Sequence, residues 1–216
     1  MNTKQEKMVL SPRQKSLIIG TMLGDAVAEK QQGGNVRLRF DHALSQEEYA
    51  LWKAKELKNL RTERFPVYKE RVDKKTKKKS THVCFDTRTL PCLIWCYDDF
   101  YRKVKEKAEK YVSPLIANQI DEFALSVLYM DDGHRRTDCN AARICTHCFD
   151  SESLEQLMGA IYRLTGAKTT THLANAEKNQ SVIYIPASEC PKFFKVIRPH
   201  VAQVPSMLRK IIDYPV

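Results

Sequence analysis

No apolar run in the 216-residue chain approaches the roughly 18 residues that a membrane span needs, and the opening MNTKQEKM lacks the apolar stretch of a signal peptide. An amphipathic Arg/Ser-rich presequence is also missing, although an organelle-encoded protein would not need one. We therefore expect a soluble protein with no membrane partner. The cysteines, seven in number, have no regular spacing, which argues against a disulfide framework. A reducing compartment is expected, in an organelle (mitochondrion or chloroplast) or a prokaryotic cytoplasm, with most cysteines as buried thiols. There is no Gly-rich phosphate loop and no Ser/His/Asp nucleophile signature. No Cys/Asn pair of the protein-splicing kind flanks the chain, so a freestanding or intron-encoded protein is expected rather than an intein.

Basic charge is plentiful and one-sided. Residues 1–112 carry 25 Lys+Arg against 15 Asp+Glu, whereas residues 113–216 carry 11 of each, so the whole net charge of +10 lies in the first half. Such asymmetry points to a polyanionic partner, and to nucleic acid before membrane because no strongly amphipathic basic helix stands out.

Two apolar stretches end in acids: LIIGTMLGDA at Leu17–Ala26 and LSVLYMDDG at Leu125–Gly133. Asp25 and Asp132 lie 107 positions apart, half the chain, which suggests a duplicated unit of 1–112 and 113–216. Ser11-Pro12 is a helix start, predicting a helix from Pro12 to Gly24 with Asp25 at its C-terminal end. Gln31-Gln-Gly-Gly34 joins two strands, Ala26–Lys30 and Asn35–Asp41, and Ser45 with Glu48 reads as a capping box for a helix over 46–60 with Tyr49, Leu51, Trp52, Leu57 and Leu60 apolar. Strands at 65–73 and 81–86 follow, then a helix from about Leu90 to Phe100 and a charged segment, 101–110, of open form. The second half repeats the order: a helix over 117–131, a hairpin of 133–138 and 141–147, and a helix over 152–164 capped by Asp150 or Ser151. A hairpin of 167–173 and 181–185 comes next, then helices at 188–197 and 205–212. The fold class is α+β, two αββαββα repeats, each with an antiparallel sheet open on one face.

Aligned on the aspartates, Gly20 and Gly24 fall opposite Val127 and Asp131. Glycines at i, i+4 let one helix approach another closely, and the obvious partner is the repeat, which would bring Asp25 near Asp132. Two carboxylates at negative helix ends repel each other unless a cation sits between them, and oxygen-only ligands suit Mg²⁺ (or Mn²⁺) better than zinc. Paired acids at a basic surface suggest metal-assisted phosphodiester hydrolysis. Bare spacing fits equally well a pair of aspartates that merely end helices before turns.

GTMLGDA and VLYMDDG resemble the two signature helices of the LAGLIDADG homing endonucleases, in the single-chain branch whose second motif commonly reads MDDG. SVIYIP at Ser181–Pro186 and VPSMLRK at Val204–Lys210 are similar to further segments of that branch, so the resemblance runs from about Leu10 to Ile212. It implies a pseudo-dimeric monomer with two saddle-shaped sheets straddling duplex DNA at a long asymmetric site, and cleavage of both strands to leave 3′ overhangs. It also implies Asp25 and Asp132 as metal ligands, with Asp131 the second choice for the latter and the carbonyls of Gly24 and Asp131 as further ligands. Lys210, and Lys110 one residue off the expected spacing, are implied as bases around the metal centre; a lysine at either place could also serve only a helix dipole. The family includes maturases that help a host intron fold, so intron RNA is an alternative partner.

Alternate side chains along a strand step about 7 Å, enough for a two-stranded ribbon to follow base edges in the major groove. Arg37, Arg39, Lys69, Arg71, Arg143, His147, Lys168, Thr170 and His172 alternate suitably. The loop Lys74-Lys75-Thr76-Lys77-Lys78-Lys79 is the most basic stretch and is expected on the phosphate backbone. Cys145 and Cys148 have the spacing of half a zinc site, but no second pair follows at zinc-ribbon distance, so thiols within a strand are expected. Cys92 and Cys96 are read as core.

Overall fold

Ser11 caps the first helix of the computed structural model, which describes residues 8–74, 76–175, 177 and 180–212. The Ser11 side chain accepts from the Gln14 backbone N–H and the Gln14 side chain returns the bond, starting α1 (Pro12–Leu23), which Gly24 ends. The first half continues as β1 (Val27–Lys30), β2 (Val36–Ala43), α2 (Glu47–Glu56), β3 (Val67–Val72), β4 (Lys79–Asp86) and α3 (Ile94–Asp98), followed by a hairpin, β5 (Tyr101–Val104) and β6 (Lys107–Lys110). The second half runs α4 (Pro114–Gln119), α5 (Glu122–Asp132), β7 (Gly133–Arg135), β8 (Ala142–Ile144), α6 (Ser151–Thr165), β9 (Thr170–Asn175), β10 (Gln180–Ile185) and α7 (Cys190–Val201). Two four-stranded antiparallel sheets result, in the equivalent orders β1-β2-β4-β3 and β7-β8-β10-β9. The αββαββα repeat read from the sequence is the architecture.

Strand alternation explains which face each sheet buries. In β2, Val36, Leu38, Phe40 and His42 are buried while Arg37, Arg39 and Asp41 are not, so the helices cover the apolar row and leave the charged row open. Leu17–Leu23 of α1 and Phe123–Asp131 of α5 are buried throughout, because these helices run through the middle of the core and touch protein on all sides. Among the described residues, no helix is long and apolar enough to cross a membrane.

Several local expectations need correction. Ser45 makes no capping box: Leu44–Gln46 form a 3₁₀ turn, and the Glu48 carboxylate accepts instead from the Ser206 backbone N–H at 2.8 Å. Leu51, assigned to the apolar face of that helix, is exposed. The helix expected over 117–131 is two helices, because Asp121 leaves helical geometry to cap α5, accepting from Ala124 N–H and from the Ser16 hydroxyl. Residues 205–210 are 3₁₀ rather than α, and the segment of open form, 101–110, is a hairpin. Of the seven cysteines only Cys84, Cys96 and Cys190 are buried; Cys92 is half-buried, and β8 ends before Cys145 and Cys148, so those two stand in the following turn.

Candidate metal centre and nucleic-acid interface

α1 and α5 meet through the glycine face. A Cβ on Gly20 would lie 2.4 Å from the Ala124 carbonyl oxygen and 2.6 Å from the Val127 Cβ, and one on Gly24 would lie 2.6 Å from the Asp131 side chain. No larger residue fits without parting the helices, and the contact brings their C-terminal ends together.

Asp25 follows Gly24 and its side chain is 34% exposed; Asp132 is the last residue of α5. Neither helix has a basic residue in its last turn. Burial raises the Asp25 carboxyl to about 6, with the charge of Asp131 adding to the effect. Asp132 is pushed up to about 7 by burial and by the charges of Asp25 and Asp131, against the opposing pull of Lys110 and Lys210.

Two lysines serve the two helix ends in the same way. Lys110 Nζ donates to the carbonyls of Gly24 (3.0 Å) and Ala26 (2.7 Å); Lys210 Nζ donates to those of Met130 (2.6 Å) and Asp131 (3.0 Å). Gly24 and Asp131 precede Asp25 and Asp132 respectively, so the ammonium groups stand at equivalent positions. The hairpin β5–β6, with Lys110 paired to Tyr101, delivers the first lysine. Burial lowers the pKa of both lysines.

Asp131 is engaged elsewhere. Its Oδ1 accepts from Lys53 Nζ at 2.5 Å, and its Oδ2 from the Thr21 hydroxyl at 3.1 Å and the Asp25 backbone N–H at 3.3 Å. Burial, the largest single influence, would raise its carboxyl, but the Lys53 charge, the neighbouring His42 and the hydrogen bonds from Lys53 and Tyr49 together outweigh it and hold the carboxyl below the usual value. His42 completes this layer: its Nδ1 is 3.5 Å from Asp25 Oδ2 and its buried Nε2 has no hydrogen-bond partner. Burial lowers its pKa to about 4, so the ring is neutral at pH 7. Asp25, His42 and Asp131 form a group whose potential ligand atoms lie within 4.8 Å of one another, and Lys53 already brings a positive charge to it. The remaining donors at the helix ends are crowded carboxylate and carbonyl oxygens, a set that fits a hard cation such as Mg²⁺ or Mn²⁺.

From Asp25 a groove of about 280 Å³ leads onto the first sheet, lined among others by Arg39, Lys69 and Arg71. Strand register puts Arg37, Arg39, Lys69 and Arg71 on the open face, as expected, together with Asp41 of the same alternation in β2 and with Glu29 of β1, an acid the sequence reading did not place there. Glu29 accepts from Arg37 and Arg39 at 2.8 Å each, and Asp41 binds Arg71 and His82. Lys74, Lys77 and Lys78 are exposed on the β3–β4 turn; Lys75 lies outside the described residues.

The second sheet is sparser. Arg143, Thr170 and His172 share its open face with Tyr184, which pairs with both Arg143 and Thr170 and stacks on His172 at 4.1 Å between centroids. His147 and Lys168 do not belong to that face's strands: His147 stands in the turn after β8, and Lys168 precedes β9 with its N–H on Glu189. Tyr184 was missed because it sits inside the apolar-looking run SVIYIP. Lys53 and His42 were missed because each occupies a buried position in its pattern; the available signal was a lysine midway between Tyr49 and Leu57 at helical spacing.

A profile described as the LAGLIDADG DNA endonuclease family matches residues 15–193. The chain belongs to that family. Among curated LAGLIDADG relatives, the cytochrome b mRNA maturase bI2 of Saccharomyces cerevisiae is 29% identical over 204 residues, covering 92% of this chain and 47% of that protein. The same maturase of Debaryomyces hansenii is 29% identical over 207 residues, 92% of this chain and 73% of that protein. DNA endonuclease I-ChuI of Chlamydomonas applanata is 28% identical over 215 residues, 95% of this chain and 97% of its own length. The chain thus spans about half of one maturase, about three quarters of the other and nearly all of the endonuclease. The LAGLIDADG fold is shared with homing endonuclease I-WcaI, solved bound to its DNA recognition sequence, at TM-score 0.82 and 21% identity over 99% of this chain and 92% of that one.

Proposed function

We propose that this chain is a site-specific homing endonuclease that hydrolyses one phosphodiester bond in each strand of duplex DNA, using Mg²⁺ or Mn²⁺ and leaving 3′ overhangs. The observation that carries the reading is the pair of raised carboxyls, Asp25 and Asp132, at the joined ends of α1 and α5, beside a groove opening onto a basic sheet. Residues 1–112 and 113–216 act as two repeats of one monomer, each serving one strand of a long asymmetric site in a reducing compartment.

Asp25 and Asp132 would hold divalent metal, with the Gly24 and Asp131 carbonyls next to them. When bound, the metal would supply Lewis acidity toward phosphate and a more acidic water. The chain's own part is positional and electrostatic. Lys110 and Lys210 are half-buried ammonium groups tethered to the helix-end carbonyls, placed to steady the added negative charge of a phosphate under attack. Arg37, Arg39, Lys69 and Arg71, with the Lys74–Lys79 turn, would bind backbone and base edges on one side, and Arg143, Thr170 and His172, together with His147 and Lys168 at the rim, on the other.

Incubation with a library of duplexes in Mg²⁺, followed by sequencing of the ends, tests the reading. The expected outcome is one long asymmetric site cut on both strands with a fixed 3′ overhang; intact duplexes at all metal concentrations would refute it. A second reading is favoured by the two maturase relatives: an RNA-binding splicing cofactor. Stimulation of intron splicing by an Asp25→Asn/Asp132→Asn variant would support it, and RNA affinity no higher than background would remove it.

A further inference from the structure

The two halves of the centre have the same lysines and the same aspartates but differ in what lies behind them. Behind Asp25, Asp131 reaches across the pseudo-twofold axis and accepts the Asp25 backbone N–H, and Lys53 and Thr21 hold Asp131 in turn. Lys53 is fully buried and satisfied, with Nζ 2.7 Å from the Thr21 hydroxyl and 4.4 Å from the centroid of the Tyr49 ring. Tyr49 donates onward to the Val127 carbonyl, tying the layer to α5.

Among the described residues, nothing equivalent lies behind Asp132. The residue in Asp131's place is Gly24, which has no side chain to return the bond. α6, the counterpart of α2, buries Ser153, Leu154, Leu157, Ala160 and Ile161, and its one basic residue, Arg163, donates to the carbonyls of Ala117 and Ile120 at the end of α4. The buried cation therefore serves one half only. A buried ion pair is a weak source of stability compared with apolar residues of the same volume. Its place against the turn that carries Asp25 points instead to a positional role.

We propose that Lys53 is a positioning residue: through Asp131 it fixes the backbone of Asp25 alone, so that the two strand-cutting halves of the centre are inequivalent. The proposal rests on the endonuclease reading. Lys53 touches neither substrate nor metal; it restrains the turn that presents the Asp25 carboxylate, and a positional error of about 1 Å at such a group can cost about 100-fold in rate.

The test compares wild type with Lys53→Met/Asp131→Leu, which replaces the pair by apolar side chains of similar volume. First, amide hydrogen exchange is followed without DNA or metal. Exchange at Asp25 is expected to accelerate about tenfold or more in the variant, and exchange at Asp132, whose amide lies within α5, to change by less than about threefold. Second, with duplex target labelled on both strands, the ratio of the two cutting rates is expected to shift about tenfold. Equal acceleration at the two amides, or an equal fall in the two strand rates, marks a merely structural pair and overturns the proposal. If wild type cuts no duplex, the endonuclease reading fails and the exchange comparison still decides whether the Lys53–Asp131 pair positions Asp25. If the double variant does not fold, Thr21→Val, which removes one partner of both Lys53 and Asp131, is expected to show the same asymmetry at about threefold.

Discussion

The first sheet meets its surroundings with charge and the second with rings. Arg37, Arg39, Lys69 and Arg71 are interleaved with Glu29, Asp41 and Asp86, whereas Arg143 lies 6.0 Å from the ring of Tyr184, itself stacked on His172. The paired acids keep three of these cations, Arg37, Arg39 and Arg71, ordered in the free protein. Partly exposed ion pairs contribute little stability, so phosphate can displace them at small cost. If duplex DNA is the partner proposed above, the first half supplies affinity and the second supplies shape.

Salt is the strongest way to break that contrast. Neutralising six to ten phosphates should lower affinity by roughly 10³ to 10⁵ between 50 and 200 mM salt. Alanine at Arg37, Arg39, Lys69 or Arg71 should flatten the log–log slope by about one unit for each phosphate no longer neutralised, and alanine at His172 should leave it alone. Fluorescence anisotropy at several salt concentrations measures both; equal slope changes from the two sheets would erase the distinction.

Helix contact offers a second contrast. Gly20→Val should destabilise by about 3 kcal/mol in denaturant unfolding, since its Cβ meets the backbone oxygen of Ala124, whereas Val127→Ala across the same contact should cost only about 1 kcal/mol.

A smaller effect comes from the acids. Because the folded values of Asp25 and Asp132 lie above the ordinary carboxylate value, the native state holds protons that the unfolded chain has released. Stability from this pair is therefore full at low pH and is lost as pH rises through about 6 to 7. Without divalent cation, Asp25→Asn/Asp132→Asn should melt about 2–5 °C above wild type at pH 8 and close to it at pH 5. Added Mg²⁺ or Mn²⁺ should raise the wild type and not the variant. Smallest of all, Tyr184→Leu should lose about 0.5–1.5 kcal/mol of stability with no change in salt slope, as expected for a ring stack and not a charge.

Much of this was legible before the structure, for identifiable reasons. Ser11-Pro12 and Asp150 are local signals, and local chemistry decided them: Ser11 caps α1 as read, and of the two candidates for α6 it is Asp150 and not Ser151 that caps. The Gly20/Gly24 face was legible because a missing side chain has a steric consequence at any distance along the chain. Other features depended on partners far away in sequence. Glu48 left its expected capping role for the Ser206 amide, 158 residues distant, and Asp121 broke a helix that periodicity alone made continuous. Lys53 drew no reading from the sequence, because Asp131, the acid that holds it, lies 78 residues away. Glu29 was not legible on the basic face because a cross-strand pair, and not alternation within a strand, places it beside Arg37; Asp41 does alternate with Arg37 and Arg39 in β2, but its partner Arg71 lies two strands away, across β4.

The most direct measurement takes Asp132→Asn to the target duplex and records binding and cutting together. The expected result is a Kd within about threefold of wild type with cutting in Mg²⁺ slowed about 10³-fold or more, because the carboxylate is needed for the chemistry and not for docking. Cutting at the wild-type rate would contradict the assignment of the two helix ends as the metal centre.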